Sequence, residues 1–176
     1  NGSTDTLIDW FDRCIDFHTF PAPGLLIGIY MVDKALELLG AKPGEKLYAV
    51  CETTKCAPDP LQVITHCTTG NHRLNVIPIG RFAITMNRSS ADDHAEGFRV
   101  KVDPAKLEGT KTLKAWFANT PDFDGMTMKK KLVEEILDIG TGMISWEKVR
   151  ILVSHKKKWK SVICTSCGEP VPDNLV

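Results

Sequence analysis

Apolar residues open the chain at three- and four-residue spacing. Leu7, Ile8, Phe11, Cys14, Ile15 and His18 form one stripe, which predicts a helix over residues 3–18, with Ser3 or Thr4 as its cap. The stretch Phe20-Pro21-Ala22-Pro23-Gly24 breaks it, because each proline disfavours helical geometry in the residue before it. Residues 25–39 are apolar on nearly all sides, which predicts a central helix stopped by Gly40. Alternation with period two predicts strands over 46–53, 81–87, 98–103 and 148–154. Helices are expected over 58–66, opened by proline, and over 104–118 and 125–139. Strands and helices do not alternate regularly, so the expected class is α+β, a mixed or antiparallel sheet packed with helices. After Ser154 the pattern gives way to a basic run and a cysteine pair. The expected organisation is therefore a core domain over 1–154 and a tail over 155–176.

Composition supports one full-sized domain. The 176 residues are 43% hydrophobic and 25% charged, which is ordinary globular usage and excludes a low-complexity chain. Lysine plus arginine and aspartate plus glutamate number 22 each, so the formal charge is zero and the footprint of a general nucleic-acid binder is missing. No apolar run approaches the ~20 residues needed to span a bilayer. With no secretory signal at the N-terminus either, the chain is read as soluble and cytoplasmic.

The cysteines change the picture. Cys164-x-x-Cys167-Gly168-Glu169 has the form of a zinc knuckle, in which two thiolates bite one metal and a glycine eases the turn. Zinc in a structural site takes four ligands, so this is half a site, to be completed by His155, by another chain or by further residues. A redox pair and two unengaged thiols are the other readings. Cys14 and Cys51 are assigned to packing. Cys56 and Cys67 flank a segment that leads into the small, polar Thr68-Thr69-Gly70-Asn71, a loop suited to lining a pocket. Each of these cysteines, and His18 on an apolar helix face, could equally be a core side chain.

Several segments resemble one family. Phe17-His18-Thr19-Phe20-Pro21-Ala22-Pro23-Gly24 is similar to the F-H-G-H-x-C-P-G segment of the FmdE family, named for formylmethanofuran dehydrogenase, and an apolar helix follows in both. Cys56-Ala57-Pro58-Asp59-Pro60-Leu61-Gln62 resembles its C-x-x-D-A-I-Q segment. Cys67-Thr68-Thr69-Gly70-Asn71 resembles G-C-T-x-G-N, and Gly80-Arg81-Phe82-Ala83 the strand that comes next. The Cys164–Cys167 pair is similar to the start of the zinc finger appended to many members. Four motifs in order are specific together where each alone is weak.

The resemblance implies an α+β core that dimerises, a treble-clef-like zinc tail, and a metal pocket in the core. It carries over His18, Cys56 and Cys67 as metal ligands, with Cys164 and Cys167 in the tail. Asp59, Gln62 and Arg81 become candidate catalytic residues, and Thr68 and Asn71 candidate substrate-binding residues. Phe20 and Ala22 stand where the family pattern has a second histidine and a cysteine, so two donors are absent. One imidazole and two thiols could hold zinc, or another transition metal, with an open fourth position.

The expected function is a metal-binding protein with a small-molecule pocket, accessory to molybdenum or tungsten formylmethanofuran dehydrogenase and so to methanogenesis-related one-carbon metabolism. The alternative is a non-catalytic adaptor whose knuckle and Lys156-Lys157-Lys158-Trp159-Lys160 run contact a protein partner, with nucleic acid disfavoured by the balanced charge. A third reading is thiol redox chemistry between Cys56 and Cys67, which needs their Cα atoms within ~7 Å. Glu52 and His66 match no motif and are read as surface or supporting groups.

Overall fold

A computed structural model describes residues 5–153 and 158–175. Helix α1 spans Leu7–His18. Its cap is Thr6, whose hydroxyl accepts from the Asp9 N–H while the Asp9 carboxylate accepts from the Thr6 N–H, a reciprocal capping box. Ser3 and Thr4, expected as caps, lie outside the described residues. Helix α2, Pro23–Leu39, starts on a proline whose missing N–H is one the first turn leaves unpaired anyway. It ends at Gly40, in left-handed geometry at φ 57°. Leu25, Ile27, Met31, Val32 and Ala35 are fully buried on it, as an all-round apolar helix requires. Each large side chain of this kind contributes roughly 1.5–3 kcal/mol of burial.

Five strands form one sheet in the order β2-β1-β3-β4-β5: β1 Leu47–Cys51, β2 Leu74–Val76, β3 Ala83–Arg88, β4 His94–Val102 and β5 Ile144–Leu152. β1 and β2 run parallel, and every other neighbouring pair is antiparallel, so the sheet is mixed. Leu47, Ala49 and Cys51 of β1, Ile84 and Met86 of β3, and Val100 and Val102 of β4 share one face and join α2 in the main core. Helix α3, Pro58–Thr65, follows β1 and packs on α1 and α2. Two glycines of α2 admit it. A Cβ on Gly24 would lie 2.8 Å from Cys56 Sγ, and one on Gly28 would lie 2.9 Å from Pro60 Cγ.

Two expected helices differ, and one strand of the sheet is additional. The stretch 104–118 is a 3₁₀ turn, Pro104–Leu107, followed by helix α4, Lys111–Phe117, with Gly109 in the break. Glu135, on the helix that comes next in the chain, accepts from the N–H groups of Thr112 and Leu113 at 2.9 and 2.8 Å, capping α4 from outside. Helix α5 runs over Lys129–Ile139 and leaves the residues from Gly125 in a turn. Strand β2 has only three residues, too few for alternation to reveal.

In the tail, β6 Ser161–Ile163 and β7 Pro170–Pro172 form an antiparallel hairpin. The expected boundary at Ser154, with His155, Lys156 and Lys157, lies outside the described residues. Among the described residues, no helix is long and apolar enough to cross a membrane.

Candidate functional site

α1 ends where α3 begins, and that meeting places His18 beside Asp59. His18 is the last residue of α1, and Asp59 lies in the first turn of α3, where a carboxylate is favoured by the helix dipole. His18 Nδ1 is 2.6 Å from Asp59 Oδ2. A carboxylate only accepts, so Nδ1 carries the hydrogen, and in the neutral tautomer Nε2 is the nitrogen with the lone pair. Nε2 is buried and has no hydrogen-bond partner among the described residues. Phe20, standing where the family pattern has a second histidine, packs its ring 4.5 Å from that of His18. Ala22, in place of the cysteine, is buried against Cys14, Leu25 and Ile29.

Cys56 neighbours the same carboxylate. The Asp59 N–H donates to the Cys56 carbonyl at 3.1 Å, and the Cys56 backbone sits in left-handed space at φ 42°. Burial first, and then the Asp59 charge, push the Cys56 thiol above its ordinary value, with Lys55 opposing. Cys67 is elsewhere. α3 stands between the two cysteines, and its eight residues are about 12 Å long. Cys67 is fully buried in the main core, where its thiol donates to the Leu47 carbonyl at 3.2 Å. The structure therefore does not bring His18, Cys56 and Cys67 around one point. Among the described residues, no three side chains of His, Cys, Asp or Glu converge as a metal-binding group. The same separation puts Cys56 and Cys67 beyond disulfide reach, and all six cysteines are free.

The other expected site residues divide between the two ends of α3. Thr68 and Asn71 follow its C-terminal end and spend their polar atoms on their own loop. Each side-chain oxygen accepts the other's backbone N–H at 3.1 Å, and the Asn71 amide donates to the His66 carbonyl at 2.7 Å. Gln62 is half-buried within α3. Arg81 is exposed and lines a cleft of ≈ 790 Å³ that Cys56 also lines.

That cleft brings in residues the sequence reading missed. Lys55, Arg99 and Lys101 share its wall with Trp116, Phe117 and Phe82, and no acidic side chain is among the lining residues. Behind it Glu52, expected to be a surface or supporting group, is buried and grips Arg99 through two bonds of 2.5 and 2.8 Å. The Arg99 bonds hold the Glu52 carboxyl below the usual carboxylate range despite burial. Opposite charges two strands apart are the signal for such a pair, but the register that joins them is not written locally.

In the tail, Cys164 and Cys167 occupy the turn between β6 and β7. The Gly168 N–H donates to the Cys164 carbonyl at 2.8 Å, with Gly168 at φ 75°, and the Cys164 N–H donates to the Glu169 carbonyl at 2.8 Å. Backbone N–H groups of Cys167 and Ser166 aimed at its sulfur lower the Cys164 thiol below its ordinary value.

Helices backing a mixed sheet, with a polar pair and a cation-lined cleft at one end of α3, define an α+β protein. Residues 17–153 match the model of the family described as FmdE, molybdenum formylmethanofuran dehydrogenase operon, and the chain belongs to that family. A solved structure from Syntrophus aciditrophicus, described as a tungsten formylmethanofuran dehydrogenase FmdE-like protein, superposes with a TM-score of 0.82 at 31% identity. The match covers 97% of this chain and 88% of that one. A protein of Archaeoglobus fulgidus described as a probable S-adenosyl-L-methionine-binding protein is 35% identical over 82 residues, 43% of this chain. The chain spans only 22% of that relative's length.

Proposed function

We propose that this is an accessory protein of formylmethanofuran dehydrogenase-type one-carbon metabolism whose core site holds a transition metal, zinc by its donor chemistry, on His18 and Cys56. The observation that carries the reading is the buried Nε2 of His18, unpartnered among the described residues, whose other nitrogen is held by Asp59. Metal-binding histidines are oriented by such carboxylates. A metal held there would have two protein donors, leaving room for water or a ligand. Cys67 is left out of the set because its thiol is committed to the Leu47 carbonyl beyond the far end of α3. A bound zinc ion supplies Lewis acidity toward a ligand in its open positions. The chain's own part is to fix the imidazole tautomer through Asp59 and to keep the donors partly dry under Phe20. Gln62 and Arg81 border this region as candidate ligand contacts, whereas Thr68 and Asn71 serve the loop beyond α3.

The tail supports a second role. A Cys164 thiol held below its ordinary value is suited to metal, and the described Lys158, Trp159 and Lys160 beside it are exposed, a surface for a protein partner. Half-buried Tyr48, Val50, Val149 and Ile151 lie on the sheet face turned away from α2, a face that a second copy of the chain would cover in a homodimer. The name of the Archaeoglobus relative raises S-adenosyl-L-methionine as a ligand. A cleft lined by four cations and no acid opposes its sulfonium charge, so the name is not extended to this chain.

Metal analysis of the purified protein tests the reading. The His18→Ala and Cys56→Ser variants are each expected to lose bound metal relative to wild type, and Cys164→Ser to lose only what the tail holds. Unchanged metal content in both core variants, with loss confined to Cys164→Ser, would leave the adaptor reading in its place.

A further inference from the structure

The cleft beside Cys56 concentrates charge that the rest of the molecule balances. The whole chain carries 22 cationic and 22 acidic side chains, yet Lys55, Arg81, Arg99 and Lys101 line one concavity with no acid among its lining residues. Glu52 and Glu147 neutralise Arg99, the first through two bonds and the second at 3.0 Å. Arg81 reaches Glu52 only at 3.9 Å, and that carboxylate is already committed to Arg99. Lys55 and Lys101 make no ion pair among the described residues, and both are exposed. Cations grouped on a concave wall raise the local concentration of anions and hold phosphate or carboxylate.

Aromatic rings line the same cleft. Trp116 and Phe117 come from the end of α4, and Phe82 from the segment before β3, with the rings of Phe82 and Phe117 packed edge to face at 6.2 Å between centroids. α4 is short, but Glu135 anchors its first turn, so the two rings stand on a fixed element. A half-buried indole beside fixed cations offers a stacking surface, and a volume of ≈ 790 Å³ accommodates a nucleotide-sized molecule.

We propose that this cleft binds a small anion carrying a planar ring, its phosphate or carboxylate on Lys55, Arg81 and Lys101 and its ring against Trp116 and Phe117. The inference shares Cys56 with the metal site proposed above and depends on no metal.

Calorimetric titration of the intact protein decides it. AMP supplies a ring with phosphate and 4-aminobenzoylglutamate a ring with carboxylates, so the two arms separate the sources of the anion. Adenosine lacks the anion, and ribose 5-phosphate lacks the ring. At least one of the first two binds with Kd below about 1 mM, and its matching fragments bind about tenfold more weakly or worse. Replacing both exposed lysines, Lys55→Ala with Lys101→Ala, weakens binding by about tenfold or more, and added salt weakens the wild type in the same direction. Circular dichroism confirms that the double variant is folded. Equal affinity before and after dialysis against EDTA keeps this result separate from the metal reading. The inference is overturned if neither ring-bearing anion binds, if adenosine binds as well as AMP, or if the lysine variant binds like wild type. Binding lost to EDTA but untouched by the lysine variant overturns it as well, and moves the ligand to the metal donors.

Discussion

Gly24 and Cys56 depend on each other atom for atom. A methyl group on Gly24 would stand 2.8 Å from Cys56 Sγ and 2.9 Å from its Cβ, closer than side chains pack. Relief would have to come from α3, since Cys56 sits just ahead of that helix with its backbone already in left-handed geometry. Gly24→Ala is therefore expected to destabilise the protein by about 1–3 kcal/mol, the range for overpacking a filled core. Urea unfolding measures it. The cause is separable from helix propensity, which by itself favours alanine over glycine by about 1 kcal/mol. Adding Cys56→Gly removes both clashing atoms and suits the positive φ, so the double variant recovers most of the loss. Were the double variant as unstable as Gly24→Ala alone, the contact with Cys56 would not be the source.

Across elements, the pair between Glu52 and Arg99 ties the end of β1 to the middle of β4 and forms the back of the cleft. Glu52 is buried, and its carboxyl is held below the usual value first by the Arg99 bonds, against the opposing pull of burial. A carboxylate depressed in the folded state contributes stability above its ordinary pKa of 4.5 and loses it as pH falls through the lower folded value. Glu52→Gln should thus cost about 2–3 kcal/mol near neutral pH, with the gap to wild type closing in acid as pH falls below 4.5. Unfolding midpoints measured across that pH range check both the size and the closing. That pair also shows where reading the sequence stops. α2 is legible because it is apolar on nearly all sides, and α3 because proline opens it. Yet a helix expected over 58–66 and a site joining Cys56 to Cys67 conflict once the helix is given its length, because it separates the thiols that its loops seemed to unite. Glu52 and Arg99 lie 47 positions apart, and only strand register, which no local pattern encodes, brings them together. α4 likewise borrows its cap from Glu135 on another helix, so its start carries no local signal.

Over the whole molecule, six free thiols differ in what surrounds them, and that difference is measurable as reactivity. Burial and the Asp59 charge push Cys14 up to about 12, and Cys51 stands at about 11, raised by burial against the pull of a backbone bond. Burial raises Cys56 and Cys67 as well. Cys164 is shifted down, by N–H groups of the hairpin turn, and Cys167 beside it is exposed. The thiolate is the nucleophile, so alkylation near neutral pH should proceed first at the tail pair. Cys14, Cys51 and Cys67, with no exposed surface, should follow only as the core opens. Mass spectrometry of a timed iodoacetamide reaction reads the order directly, and zinc added beforehand should slow the tail pair if its two sulfurs take the ion. Early labelling of Cys67 would mean that the main core opens around α3, which its packing under β1 does not allow. Cys56 is the informative intermediate. It is half-buried, and it lines the cleft, so an anion with a ring bound there should retard its alkylation while leaving the tail pair unchanged.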